Sequence, residues 1–338
     1  MANAFVSGHR TVEDLAIDDL GSPDGLVRAL YRSGGFTAKK LAVATEVMAR
    51  MLRDDGCKVI LSFPACIMAT GTRGLIVDMV KRGWVDAIIT TCGTLDHDLA
   101  RVWQPYYHGA FTMDDKELHE VGVNRLGNVL VPNESYGEVL ESRMKPLLAK
   151  LWEGRGDRDS WSTAELTRYF GLHLEGEEKA EESLLYWAAK QDVPIYVPGP
   201  TDGAWGSQIW QFYQTHRAFR FDLLADEQAL MDFVFDASSL GALMIGGGIS
   251  KHHAIWWAQF RDGLDYAVYL TTAQEYDGSL SGARVREAVS WGKVKEDARY
   301  VTVEGDATVT LPMILAALPA VIETPIDSDA AAEVMQDG

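Results

Sequence analysis

The sequence predicts an α/β protein: a doubly wound, mostly parallel sheet with a helical insertion. Two observations carry this expectation. Short apolar runs such as Val59-Ile60-Leu61-Ser62-Phe63 have the composition of strands buried on both faces, and helical patterns alternate with them along the chain. No repeat of fixed period and no linker interrupts the 338 residues, so one domain is expected over 1–338.

Ser22 and Pro23 open a short helix over 22–33 that Gly34-Gly35 closes. Thr37 is expected to cap a stronger helix, whose apolar face carries Leu41, Ala44, Val47, Met48, Met51 and Leu52 and which ends at Gly56. The strand at 59–63, a helix over 72–81 and a second strand at 86–90 then make a β-α-β unit. From about 103 to 190 the pattern leaves the sheet. An aromatic, weakly periodic stretch runs to 133, followed by helices over 136–152, 162–170 and 177–190, with a charged loop at 153–159. Alternation resumes with a strand at 195–197, helices over 205–216 and 226–237, a strand at 243–245, a helix over 253–261 and a strand at 266–270. A strand at 300–303 and a helix over 308–318 follow. The acidic tail from about 325 to 338 is expected to fray.

Composition narrows the function. The hydrophobic fraction of 47% supplies a sizeable core. No apolar run is long enough to span a bilayer and the N-terminus lacks a signal peptide's apolar region, so a cytoplasmic protein without membrane partner is expected. Cys57, Cys66 and Cys92 show no paired spacing, which argues against disulfides and a zinc knuckle. A net charge of −18 disfavours nucleic acid and suits a cationic substrate, although acidity that only aids solubility is the plainer reading.

Three loops follow strands, where open α/β sheets place ligands: Pro64–Arg73, Thr90–Asp98 and Gly246-Gly247-Gly248. Each alone reads as a turn. Together they make a nucleotide crevice the competing reading, since small residues there let a phosphate reach the amides of the next helix. Neither G-x-G-x-x-G nor a P-loop is present. Asp96-His97-Asp98 lacks metal-ligand spacing, so no metal is expected and the carboxylates are read as helix N-terminal residues.

The chemistry gathers between Gly246 and Lys293. Lys251-His252-His253 opens a helix, and one of its histidines is either a backbone-satisfied helix-start residue or a general base. Trp256-Trp257 is most simply packing. The turn-rich loop from Glu275 to Gly282 reads either as solvated or as carboxylates turned inward toward a cation. Glu287 lies six residues before Lys293, so both face one pocket if a turn intervenes. A single lysine is ordinarily a solvated charge. Beside Trp291, however, Lys293 sits where an apolar neighbour favours the neutral amine that nucleophilic chemistry needs.

With GGGISKHH at 246–253, AQEYDGSLSGAR at 273–284 and EAVSWGK at 287–293, the chain resembles the deoxyhypusine synthase family, archaeal type. GGFTAKKLA at 34–42, LVPNESYGEVLE at 130–141 and GDATVTLP at 305–312 extend the likeness over nearly the whole sequence. The resemblance implies a Rossmann-like NAD site and transfer of an aminobutyl group from spermidine to one lysine of the translation initiation factor 5A precursor. An enzyme-lysine imine carries the group, and homotetramers place active sites at paired-subunit interfaces. By matching position, Lys293 is the imine-forming lysine and His252 the proton-transfer histidine. Trp291, Glu287, Tyr269, Ser279 and Ser281 fall on the polyamine pocket. Thr91, Gly93, Asp96, Asp202, Gly247, Ala273, Asp277 and Asp306 fall on the NAD site.

The chain departs from the family pattern at two polyamine-pocket carboxylates, replaced by Ser207 and Leu280, and at dinucleotide-loop positions now Ala65, Cys66 and His97. Losing two buried anions weakens recognition of a spermidine ammonium, which brings agmatine forward as donor. Two further readings stand beside this one: transfer to a free diamine, as in homospermidine synthesis, and a non-catalytic subunit that pairs with an active paralogue.

Overall fold

A computed structural model describes residues 9–326. The acidic tail lies almost wholly outside the described residues. Six strands form the central sheet: β1 (Cys57–Phe63), β2 (Ala87–Thr90), β3 (Ile195–Tyr196), β4 (Ser239–Ile245), β5 (Leu264–Thr271) and β6 (Val294–Glu304). Every pair is parallel and the spatial order is β6-β5-β4-β1-β2-β3. That order reverses direction between β1 and β4, which makes the crevice at their carboxyl ends the topological switch point.

Residues of β1 alternate between two cores. Val59, Leu61 and Phe63 join the face packed by α2 (Phe36–Arg53) and α11 (Ala307–Glu323). Ile60 joins the face packed by α9 (Leu223–Phe235) and α10 (Ile249–Ala258). Burial on both sides explains why the strand reads as an unbroken apolar run.

Besides a six-residue helix at Asp115–Glu120, the remaining α-helices are α1 (Pro23–Ser33), α3 (Thr72–Lys81), α4 (Cys92–Trp103), α5 (Gly137–Glu153), α6 (Thr163–Leu172), α7 (Leu184–Lys190) and α8 (Ala204–Tyr213). Several expectations need correction. Thr37 does not cap α2; Gly35 does, and Phe36 starts the helix at φ 26° with its ring almost wholly exposed. The helix expected over 177–190 is a 3-10 turn at Ala180–Glu182 followed by α7.

The stretch from 103 to 133 holds a small antiparallel sheet of Tyr107–His108, Val123–Leu126 and Val129–Pro132. Its half-exposed strands give little apolar signal. The Gly127-Asn128 pair between two of them, with Gly127 at φ 60°, was the available hairpin cue. Among the described residues no helix is long and apolar enough to cross a membrane.

Candidate active site

A cavity of about 290 Å3 opens between α10, the turn Val285–Trp291 and the sheet face at Met244. Lys293, His252, Trp291 and Glu287 all line it, so the turn between Glu287 and Lys293 does bring the two to one pocket. Gly292 adopts φ 65°, a left-handed conformation that ends the turn and sets Lys293 at the mouth of β6. Lys293 is 8% exposed. Its Nζ lies 5.3 Å from the centre of the Trp291 ring and 5.5 Å from that of Trp256, between two indole faces.

His252 stacks on Trp256 at 5.7 Å. Burial, and then the charge of Lys293, lower its pKa below the ordinary histidine value, so the ring is neutral near physiological pH and can accept a proton. The sequence reads Trp256 most simply as packing, and the structure places it in the wall of the cavity. Its place one helical turn after His252 on α10 was the signal that it shares the pocket. Lys251 is a second lysine at this cavity, 3% exposed, and nothing in the sequence singled it out from a solvated helix-start residue.

The other expected polyamine contacts lie behind the cavity. Tyr269 is fully buried and its hydroxyl donates to the Ser281 carbonyl at 2.7 Å. The Ser279 hydroxyl donates to Asp277 at 2.7 Å, inside their own turn. Asp277 is exposed, and Glu275 pairs with Arg286, so these carboxylates are not turned inward toward the cavity. Leu280 does line the pocket, whereas exposed Ser207 donates to the Gly203 carbonyl.

A separate cavity of about 360 Å3 occupies the switch point. Pro64 and Cys66 after β1, Gly246 after β4, Thr272 after β5 and Asp306 after β6 line it, with Phe111 and Leu126–Val129 of the small sheet as its outer wall. Gly246 and Gly248 take φ 64° and 76°. At Gly247 an added Cβ would sit 2.2 Å from Ser281 Oγ, so this loop must be bare backbone. Neither α4 nor α10 has a side-chain cap, which leaves amides at this edge open to a phosphate. These features fit a dinucleotide.

The expected cofactor residues divide. Asp306 lines the crevice and accepts the Thr308 amide at 2.8 Å. Thr91 accepts the Ala65 amide at 3.2 Å, and a Cβ at Gly93 would lie 2.9 Å from that of Ala65, so both hold the first loop against the second. Ala273 accepts from Arg284 through its carbonyl at 3.1 Å, and Asp202 is exposed in the loop before α8.

Asp96 faces away. Its carboxylate receives the Ala204 and Trp205 amides at 2.9 and 2.7 Å and the Tyr136 hydroxyl at 2.6 Å. Asp98 likewise receives the Leu184 and Leu185 amides, each at 2.9 Å. Both are helix N-terminal carboxylates, but for α8 and α7 rather than their own helix. The lysine cavity and the switch-point cavity share no lining residue, so within one chain the crevice is not built around Lys293. Among the described residues no group of three or more His, Cys, Asp or Glu is placed to hold a metal.

His97 offers a stability test. Its Nδ1 meets the Tyr106 hydroxyl at 3.0 Å, and burial, helped by the charge of Arg101, depresses its pKa to about 4. The unfolded chain therefore takes up this proton first. The contribution is full above the unfolded value and is lost as pH falls toward the folded one, by roughly 3 kcal/mol at most. Urea midpoints measured from neutral pH down to about pH 4.5 should drop, and His97→Phe should flatten that slope.

A parallel six-stranded sheet with a bare-backbone crevice at its switch point and a separate lysine-centred pocket defines a doubly wound α/β protein with two candidate ligand cavities. The family follows from comparison. Residues 25–318 match the family model of deoxyhypusine synthase, and the chain belongs to that family of aminobutyl-transferring enzymes. It is 53% identical over 307 residues to the probable deoxyhypusine synthase of Thermoplasma volcanium, covering 91% of this chain and 96% of that one. The corresponding protein of Ignicoccus hospitalis is 45% identical over 92% of this chain and 96% of its own. A putative deoxyhypusine synthase from Entamoeba histolytica shares the fold, with a TM-score of 0.65 at 19% identity over 92% of this chain and 98% of that chain.

Proposed function

We propose that this chain moves an aminobutyl-type group from a polyamine to one lysine of the translation initiation factor 5A precursor, the first step of hypusine formation. The supporting observation is Lys293, buried between Trp291 and Trp256 in a cavity of about 290 Å3. The Lys293 amine adds to the carbon of the oxidised donor, expels the donor's remaining amine and holds the butyl chain as an imine. The acceptor lysine then displaces Lys293 and regenerates its free amine. His252, neutral and stacked on Trp256, takes the proton that each addition releases. With the contact face covered by a second subunit, the indoles exclude water that would hydrolyse the imine. The Gly246–Gly248 loop and Asp306 would hold NAD, which would supply the oxidant for the donor and the reductant for the product. Because the two cavities are separate within one chain, the working unit is a homo-oligomer, proposed as a tetramer, whose contact face includes exposed Ile249, Trp256, Phe260 and Trp291.

The donor is the finer question. Among the described residues Glu287 is the one carboxylate at the lysine cavity, with Leu280 where a second anion is expected, so a spermidine ammonium has one partner there instead of two. Agmatine, with a guanidinium end, is the alternative donor. Incubating the factor 5A precursor with enzyme, NAD and either amine, then weighing the intact factor, tests acceptor and donor together. A mass gain with one amine is expected. An unchanged factor alongside a new free polyamine would instead establish transfer to a diamine, and no amine trapped on the enzyme by borohydride would leave the non-catalytic subunit.

A further inference from the structure

Lys251 stands in the first turn of α10, where the helix dipole disfavours a cation, and it is 3% exposed. Burial pushes its pKa down to about 8, against the attraction of Glu287 and with the repulsion of Arg284. A charge placed so unfavourably is explained by what it touches. Its Nζ donates to the Leu280 carbonyl at 3.0 Å and to the Ala283 carbonyl at 2.6 Å, and lies 3.7 Å from the centre of the Tyr269 ring. From β5, the hydroxyls of Tyr269 and Thr271 donate to the carbonyl of Ser281, which lies between Leu280 and Ala283 in sequence, at 2.7 and 3.0 Å. Side chains of one helix and one strand thus hold three carbonyls of a loop that makes no sheet pairing. On its other side, Ser281 presses against Gly247.

We propose that Lys251 is a positioning residue: its ammonium clamps the segment 279–284, fixing Leu280 as the end wall of the Lys293 cavity and Ser281 against the glycine loop. A charge-assisted bond to each of two carbonyls is stronger than a neutral one, and it reaches across from α10, the helix that also carries His252. The clamp therefore ties the wall of the amine pocket to the same rigid element as the proton acceptor. It deepens the proposed function, and its kinetic consequence rests on that reading; the clamp itself does not.

Lys251→Met keeps the apolar stem and removes the ammonium, and Tyr269→Phe removes the hydroxyl from the other side. The Leu280 and Ala283 carbonyls lose their donor, a local loss that relief of the charge's own burial offsets in part, so the sheet should persist. In both variants, amide hydrogen exchange over 278–286 is expected to rise by about tenfold or more while β1 and β4 stay protected. With an active donor, kcat should fall roughly a hundredfold with little change in KM, as misplaced reacting groups do. Unchanged exchange over 278–286, or an equal rise through β1 and β4 in both variants, would overturn the clamp. Should Lys251→Met not fold, Tyr269→Phe decides by the same signs. If the unaltered protein transfers no amine, the proposed function fails, and the exchange result still judges the clamp.

Discussion

Lys293→Ala is expected to abolish transfer, lowering the rate by at least about 10^4-fold, the scale on which removing a covalent nucleophile acts. The loss should be chemical and not structural. The backbone at this position is fixed without the side chain: the Lys293 amide donates to the Ala288 carbonyl at 3.0 Å, and its carbonyl accepts the Leu264 amide at 3.1 Å. What truncation removes is one lysine side chain near two indole faces, worth about 1 kcal/mol, too little to unfold a domain of this size. Borohydride reduction with a labelled donor and NAD should leave an adduct on Lys293 in the unaltered protein and none in the variant, with equal melting temperatures. An adduct in Lys293→Ala of comparable yield would remove this lysine from the mechanism.

The lysine pocket was legible because its members are close in sequence. His252 and Trp256 share one helix, Glu287, Trp291 and Lys293 share one turn, and Gly292 marks where that turn stops. The sheet was legible for a related reason: β1 is buried on both faces, so its apolar run stands out without help from distant segments. Contacts between distant segments left no such trace. Nothing local in Lys251 announces that its ammonium meets carbonyls 29 and 32 residues away. The short strands of the 107–132 sheet are half-exposed, so their pairing is set by partners across the hairpin rather than by composition. The same limit separates Tyr269, Ser279 and Ser281 from the cavity they were expected to line. A matching motif gives position along the chain, whereas orientation comes from packing against Lys251 and Gly247.

Asp96 shows this most sharply, and Asp96→Ala is expected to cost about 2–4 kcal/mol of stability with no cofactor present. The carboxylate is fully buried and serves as the N-terminal cap of α8 from a helix 108 residues earlier. Truncation leaves the Ala204 and Trp205 amides and the Tyr136 hydroxyl without their acceptor, one buried donor and two half-buried ones at roughly 1 kcal/mol each. Relief of the charge's own burial offsets part of that loss. Burial raises the Asp96 pKa, against the Tyr136 hydroxyl and the Trp205 and Ala204 amides, so the folded chain holds this proton more tightly than the unfolded one. Stability from this group therefore falls as pH rises above the ordinary carboxylate value, and the variant should lose that dependence. Denaturation of the cofactor-free protein separates the two roles open to Asp96. A lowered urea midpoint with unchanged NAD affinity in the folded fraction marks a cap. An unchanged midpoint with weakened NAD affinity marks a cofactor contact, and would mean that the buried carboxylate turns toward the crevice when the dinucleotide binds.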